Sequence, residues 1–327
     1  MNHKESQGFV MKPDLTQKIK NQARLLGFDL IGIAPAKPLK NDFNYFKWWL
    51  AQGFGADMQY LYKNLHKREN PEEILQGVQS IICCGVNYYT SPSSSSPSIK
   101  GEARGIVSNY AHGDDYHKVF LKKLKALSAF IKKDLGVHSN NKEYVDTGAI
   151  MERSYAASAG LGWIGKNTCL INKEMGSYIF LGEILTDLEL EYDKPVTDHC
   201  GTCTACLDAC PTGALPKEGV LDSNKCISYL TIEYRGESFS EDLSHKMGQH
   251  IMGCDICQQV CPWNNKAPQT QEVAFHPRED FSFPDLHKWE KFEEKDFSQY
   301  FQNSPIKRLK WKGLLRNIRN ALQNARN

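Results

Sequence analysis

Residues 200–211 read Cys200-Gly-Thr-Cys203-Thr-Ala-Cys206-Leu-Asp-Ala-Cys210-Pro211, four cysteines in eleven residues with a proline after the last. The spacing, C-x2-C-x2-C-x3-C-P, is that of bacterial iron–sulfur sequences. Three closely spaced thiolates wrap one [4Fe–4S] cube, and the fourth, before proline, turns away to ligate a second. A partial echo follows at Cys254-x2-Cys257-x3-Cys261-Pro262. Its missing first position is Ile251, which cannot ligate, and Cys226 in "NKCISYLT" remains to complete the number. Eight thiolates therefore serve two cubes: Cys200, Cys203, Cys206 and the distant Cys261 around one, Cys210, Cys226, Cys254 and Cys257 around the other. The crossing ties the two halves together and sets the cubes close enough to exchange electrons. Structural zinc also uses C-x2-C pairs, but it accounts neither for the triple run nor for the two prolines.

Disulfides are a poor alternative. The chain has 11 cysteines, an odd number, and eight of them crowd between residues 200 and 261. The start, "MNHKESQGFVMKPDL", has no apolar signal region, which favours metal or redox chemistry over disulfides. The other three, Cys83, Cys84 and Cys169, sit in short apolar runs and read as small core residues. No stretch approaches 18 consecutive apolar residues, so the reading is a cytoplasmic protein with no membrane partner. A formal charge of +2 gives no global case for nucleic-acid binding, leaving only local basic surfaces.

Outside the cysteines, helices and strands alternate. Residues 13–36 read as a helix with Leu15, Ile19 and Ala23 on one face, a stop at Gly27, and then a strand. "SIICCGVNYY" is a strand, "SPSSSSPS" (91–98) a flexible surface loop. Residues 115–136 form an amphipathic helix with Val119, Leu124, Leu127 and Ile131 inward. From Glu143 the order is strand, turn, helix, turn, strand, turn, strand. The division that follows is a polar lead (1–12), an α/β or α+β domain (13–195), a ferredoxin-like two-cluster domain (196–270) and a basic helical tail (271–327), α+β overall.

Gly160-Leu-Gly162-Trp-Ile-Gly165 is a literal G-x-G-x-x-G, but a dinucleotide fingerprint needs a strand before it and a helix after it. Here the order is reversed, so the glycines are expected in tight turns beside a packed strand or bound group. "DYHKVF" (Asp115, His117) and "DLHKWE" (Asp285, His287) approach the D-x-H-x-x-G sign of histidine-ligated cobalamin yet lack the glycine, leaving ordinary polar contacts. Asp146 in "YVDTGAIMERS" has two readings: a turn or helix-capping aspartate, or a carboxyl at a strand's end whose raised pKa lets it donate a proton.

Together, "VDTGAIMERSYAASAGLGWIGKNTCLI", "GCDICQQVCPWN", "CISYLT" and the eight-cysteine code resemble the epoxyqueuosine reductase (QueG) family from about residue 13 to about 320. The resemblance implies reduction of epoxyqueuosine to queuosine at the tRNA wobble position, the last step of queuosine synthesis. It also implies cobalamin without a histidine ligand to cobalt, and an N-terminal domain related to reductive dehalogenases. By that likeness Asp146 is the proton donor, and Arg68, Ser108, Asp146, Ser228 and Leu230 contact cobalamin, with the Cys210/Cys226/Cys254/Cys257 cluster nearer the corrin. The implied partners are tRNA carrying epoxyqueuosine and an unidentified low-potential electron donor, and the protein is expected to be a monomer.

The C-terminus departs from the longer relatives, which end in helical repeats. Only 66 residues follow Cys261, too few for three or so ~40-residue repeats. From Phe297 onward there are seven lysines and arginines and no acid. They suit either a solvated amphipathic helix, with Leu309, Leu315, Ile318 and Leu322 inward, or contact with phosphates. Two rivals use the same cysteines: a corrinoid reductase of a small molecule, and a two-cluster electron-transfer protein without catalysis.

Overall fold

The computed structural model describes residues 12–91 and 103–326; the polar lead up to Met11 and most of the serine-rich loop lie outside them. Eight strands follow in chain order: β1 (Leu30–Pro35), β2 (Ser80–Asn87), β3 (Ile106–Val107), β4 (Asn141–Tyr144), β5 (Trp163–Ile164), β6 (Leu170–Ile171), β7 (Ile179–Thr186) and β8 (His250–Met252). The main sheet has the order β1-β2-β7-β4. Every pairing in it is antiparallel, which makes the N-terminal part α+β.

Period-two alternation explains how this sheet is covered on both faces. Ile82, Cys84 and Val86 of β2 join Phe180 and Ile184 of β7 under the helices Lys12–Leu25 and Tyr116–Lys133. Leu15, Ile19 and Ala23 point inward from the first helix, and Phe120, Leu124, Leu127 and Ile131 from the second, with Val119 packed at the edge. Ile81, Cys83 and Leu185 face the other way, against Tyr155, Ala156 and Ala159 of the helix Glu152–Ser158 and its C-cap. Cys83 and Cys84 are thus fully buried and point to opposite faces, as small core residues.

The G-x-G-x-x-G run follows the Glu152–Ser158 helix and enters β5, the reverse of a dinucleotide site. A Cβ at Gly162 would lie 2.2 Å from the Ile171 carbonyl oxygen of β6, so the glycine is there for close approach of two strands.

The segment read as a basic tail builds a core of its own. Trp289, Phe297, Phe301, Leu314 and Ile318 enclose Val107 and Ala111 from the N-terminal part, and Ile251 and Met252 from the cluster part. β3 pairs parallel with β8, so the stretch leading to Ser108 runs beside the stretch leading to Cys254. Leu309 and, in the last helix, Lys310–Arg326, Ile318 and Leu322 are buried as expected, while Leu314 rather than the partly covered Leu315 completes the face. Among the described residues, no helix is long and apolar enough to cross a membrane.

Candidate active site and iron–sulfur centres

Cys200, Cys203, Cys206 and Cys261 line a single cavity, walled by Ile171, Ala205, His199 and Trp263. Trp163 stacks edge-on against Trp263 and His199, and its indole N–H donates to the Cys200 sulfur at 3.4 Å. Sequence reading missed this aromatic wall. It excludes water on one side, and N–H···S bonds of this kind tune cluster potential.

The second set gathers from three segments. Cys226 feels the charge of Cys210, Cys254 that of both, and Cys257 that of Cys254 and Cys226. The backbone N–H of Ala214 donates to the Cys210 sulfur at 3.3 Å. Burial pushes the Cys254 thiol up to about 12, a cost that a bound cation offsets because metal binding selects the thiolate. Both sets therefore fit cubes rather than free thiols. Cys169 departs from expectation: it is partly exposed, and its sulfur lies beside that of Cys257.

Asp146 lies just beyond the end of β4, in the left-handed region at φ +56°. It does not cap the following helix, whose N-cap is Met151. Its Oδ2 accepts the Tyr116 hydroxyl at 2.9 Å and lies 3.3 Å from His117 Nε2. Both partners start the Tyr116–Lys133 helix, which Asp115 caps by accepting the His117 N–H. Tyr116 is held in place by stacking on Phe180 of β7, centroids 4.2 Å apart. His117 Nδ1 is 2.8 Å from Asp115 Oδ1, so the ring bridges two carboxylates.

The expected charge state is reversed. Desolvation raises the pKa of Asp146, but hydrogen bonds from His117 and Tyr116 outweigh it and leave the carboxyl below its usual range. Burial lowers that of His117, and the carboxylates Asp115 and Asp146 overcome it, lifting the imidazole to about 9. The couple holds one proton at neutral pH, and it sits on His117. An ordinary polar contact was expected there; the signal in the sequence was Asp-Tyr-His placed at the start of a strongly amphipathic helix. His287, in contrast, lies in a plain cap, where Asp285 accepts its backbone N–H.

Half of the Asp146 side chain remains exposed. Tyr60, Tyr110, Glu152 and Arg308 lie within electrostatic reach of it. Arg308 is anchored on Glu233 at 2.6 Å. Arg68 lies within electrostatic reach of Tyr60, and its guanidinium donates to the Lys63 carbonyl at 2.7 Å. Ser228 sits two residues from Cys226 and hydrogen-bonds its thiol. Leu230 is buried, and its carbonyl accepts from Arg316 at 3.0 Å. Ser108 is also buried, its hydroxyl donating to Asp255 at 2.5 Å.

Two sets of four cysteines, together with a carboxylate paired to a histidine and a tyrosine, mark an iron–sulfur oxidoreductase. Residues 199–264 match the 4Fe-4S double cluster binding domain and residues 68–147 match Epoxyqueuosine reductase QueG, DUF1730. Curated epoxyqueuosine reductases are similar along nearly the whole chain. That of Synechocystis is 43% identical over 90% of this chain and 100% of the relative, and that of Escherichia coli 39% over 95% and 81%. A crystal structure of epoxyqueuosine reductase with an epoxyqueuosine-modified tRNA-Tyr stem loop is similar with a TM-score of 0.88 at 31% identity, covering 95% of this chain and 81% of that one. The chain belongs to the epoxyqueuosine reductase family.

Proposed function

We propose that this chain reduces epoxyqueuosine to queuosine in tRNA, with single electrons passing through its two [4Fe–4S] clusters to a bound cobalamin and with Asp146 as the proton donor. The observation that carries the reading is Asp146 itself: a half-exposed carboxylate whose Oδ2 meets both the Tyr116 hydroxyl and the His117 imidazole, in a chain that also gathers two sets of four cysteines. The reaction takes up two electrons and two protons and releases water, so it needs a local proton source beside an electron path.

Cobalamin, when bound, supplies the low-potential reducing centre that opens the epoxide. The donor chemistry suits such a group: Arg68, the Ser228 hydroxyl and nearby carbonyls would meet the amide-fringed edge of a corrin. Neither nitrogen of His117 is free to ligate a metal, since both are engaged by carboxylates. This supports a cobalamin without a histidine ligand. Ser108 and Leu230 are buried, so they would act through backbone and packing, while Asp255 keeps the Ser108 hydroxyl.

Asp146 would deliver the proton to the departing epoxide oxygen, and His117 would restock it. Substrate covering the exposed Asp146 carboxyl would exclude water, which raises its pKa and moves the shared proton towards it. General acids contribute ~10²–10⁴-fold. Asp146→Asn should therefore keep full iron and cobalamin content and lose turnover by about that factor; near-normal turnover in a loaded variant would remove Asp146 as donor.

The basic C-terminal segment supports an RNA substrate. Arg308 lies within electrostatic reach of Asp146, while Lys310 and Lys312 are exposed on the next turn of chain. Arg316 is not available for phosphate: its guanidinium stacks on Phe239 and donates to the Tyr234, Gly236 and Leu230 carbonyls.

A further inference from the structure

We propose that Glu152 is the positioning residue for Asp146, and that Glu183, buried behind it, supplies the proton that lets it do so; the inference rests on Asp146 being the proton donor. Glu152 opens the Glu152–Ser158 helix, and its Oε1 accepts the backbone N–H of Asp146 at 2.6 Å. Asp146 has a positive φ of 56°, a conformation that a non-glycine residue holds only when its surroundings impose it. The Glu152 carboxylate is such a constraint, six residues along the chain.

Glu183 lies near the middle of β7, fully buried, on the face covered by the Glu152–Ser158 helix. Among the described residues, no N–H or O–H reaches either of its side-chain oxygens. Its polar neighbour is the Glu152 carboxyl. Two carboxyls pressed together away from water do not both ionise; they share a proton. That proton satisfies Glu183 and leaves Glu152 a charged acceptor for the Asp146 amide. Without it, a buried anion would stand unpaired, a state that folded proteins avoid.

Burial accordingly raises Glu183 far above the usual carboxylate range and, with the nearby Asp146 charge, lifts Glu152 to about 7. The groups facing Glu152 are Asp146 from the preceding loop, Glu183 from β7, Tyr116 from the Tyr116–Lys133 helix, Cys83 from β2, and Arg153 beside it. Arg153 is the cation of that set. As pH falls through about 7, Glu152 takes up a proton and its bond to the Asp146 amide changes from charge-assisted to neutral, roughly halving its strength. The loop carrying Asp146 is then held less firmly.

The test is amide hydrogen exchange of residues 145–151 in the loaded protein, alongside steady-state turnover on an epoxyqueuosine-modified stem loop. Glu152→Gln should speed exchange there by about tenfold, lower kcat by about tenfold and leave the KM for RNA unchanged, reflecting a neutral acceptor in place of a charged one. Glu183→Gln keeps a permanent N–H donor to Glu152, so it should hold the loop and keep kcat within about threefold, while moving the pH dependence of exchange below 7. Exchange in 145–151 that is unchanged in Glu152→Gln would overturn the proposal. Equal loosening by both variants would also overturn it, since that would mark a packing effect. Faster exchange with wild-type turnover would uphold the clamp and remove Asp146 as donor instead.

Discussion

His117 carries the most directly measurable consequence of the site. Its imidazolium is bound by Asp115 at 2.8 Å and Asp146 at 3.3 Å, and its pKa rises from 6.5 to about 9. At ~1.4 kcal/mol per tenfold, that rise corresponds to ~3 kcal/mol of preference for the protonated ring. Half of Asp146 is exposed, so solvent screening reduces the contribution to folding to ~1–2 kcal/mol. The sign follows from the folded pKa lying above the unfolded one. The stabilisation is complete below about pH 6.5, where both states are protonated, and it is lost as pH rises through about 9.

The assay is a histidine-selective NMR titration of the anaerobic protein, with the His117 resonance assigned by the His117→Gln variant. The wild-type ring should titrate near 9. Asp146→Asn removes one of the two carboxylates, so the midpoint should fall by about one unit yet stay above 6.5, because Asp115 remains. His117→Gln should also abolish the loss of stability towards pH 10 seen by urea unfolding. A wild-type midpoint near 6.5, or one indifferent to Asp146→Asn, would refute the shared-proton couple and with it the restocking of Asp146.

Two further outcomes test the cofactor and substrate sides. Cys261→Ser should remove the cluster held by the Cys200 set and lower iron content by about half, while the Cys210 set keeps its [4Fe–4S] signal by electron paramagnetic resonance after reduction. Lys310→Ala with Lys312→Ala should weaken stem-loop binding and reduce the slope of log affinity against log salt by up to ~1.4, at ~0.7 for each phosphate of single-stranded RNA left without its cation. Arg316→Ala should instead unfold the neighbourhood of Tyr234 and Phe239 without changing that slope.

The cysteine code was the most legible part of the sequence because ligand spacing is a local constraint: three thiols on one cube must follow one another at short range. The meeting of Cys261 with the first set in one cavity was legible too, since the echo lacked a cysteine at Ile251, which the structure buries in β8. Helix faces were readable where apolar residues alone set them, as for Leu15, Ile19 and Ala23. At the last helix Leu309, Ile318 and Leu322 read correctly and only Leu315 misled, because the inward stripe includes a polar residue. Asn317 is fully buried and donates to the carbonyls of Thr231 and Ile251, so a count of apolar residues rotates the face towards Leu315.

The charge states at the site were not legible, because they depend on contacts far apart in sequence. Asp146 alone suggested a raised pKa; only its meeting with His117 and Tyr116, 29 and 30 residues earlier, reverses the direction. Glu183 gave no sign in a run of apolar strand residues, and its role depends on Glu152 arriving from the helix above the sheet. Cys169, in a short apolar run, reads as core, yet the turn before it places the thiol beside Cys257.

The measurement that tests the central claim most directly is an anaerobic turnover with the protein reconstituted in iron, sulfide and cobalamin, a strong reductant and an epoxyqueuosine-containing tRNA, read by mass spectrometry of the released nucleosides. The account predicts loss of one oxygen from epoxyqueuosine only when cobalamin is present. An unchanged nucleoside, with both clusters and cobalamin demonstrably bound, would contradict it and point to a small-molecule reductase working on the same site.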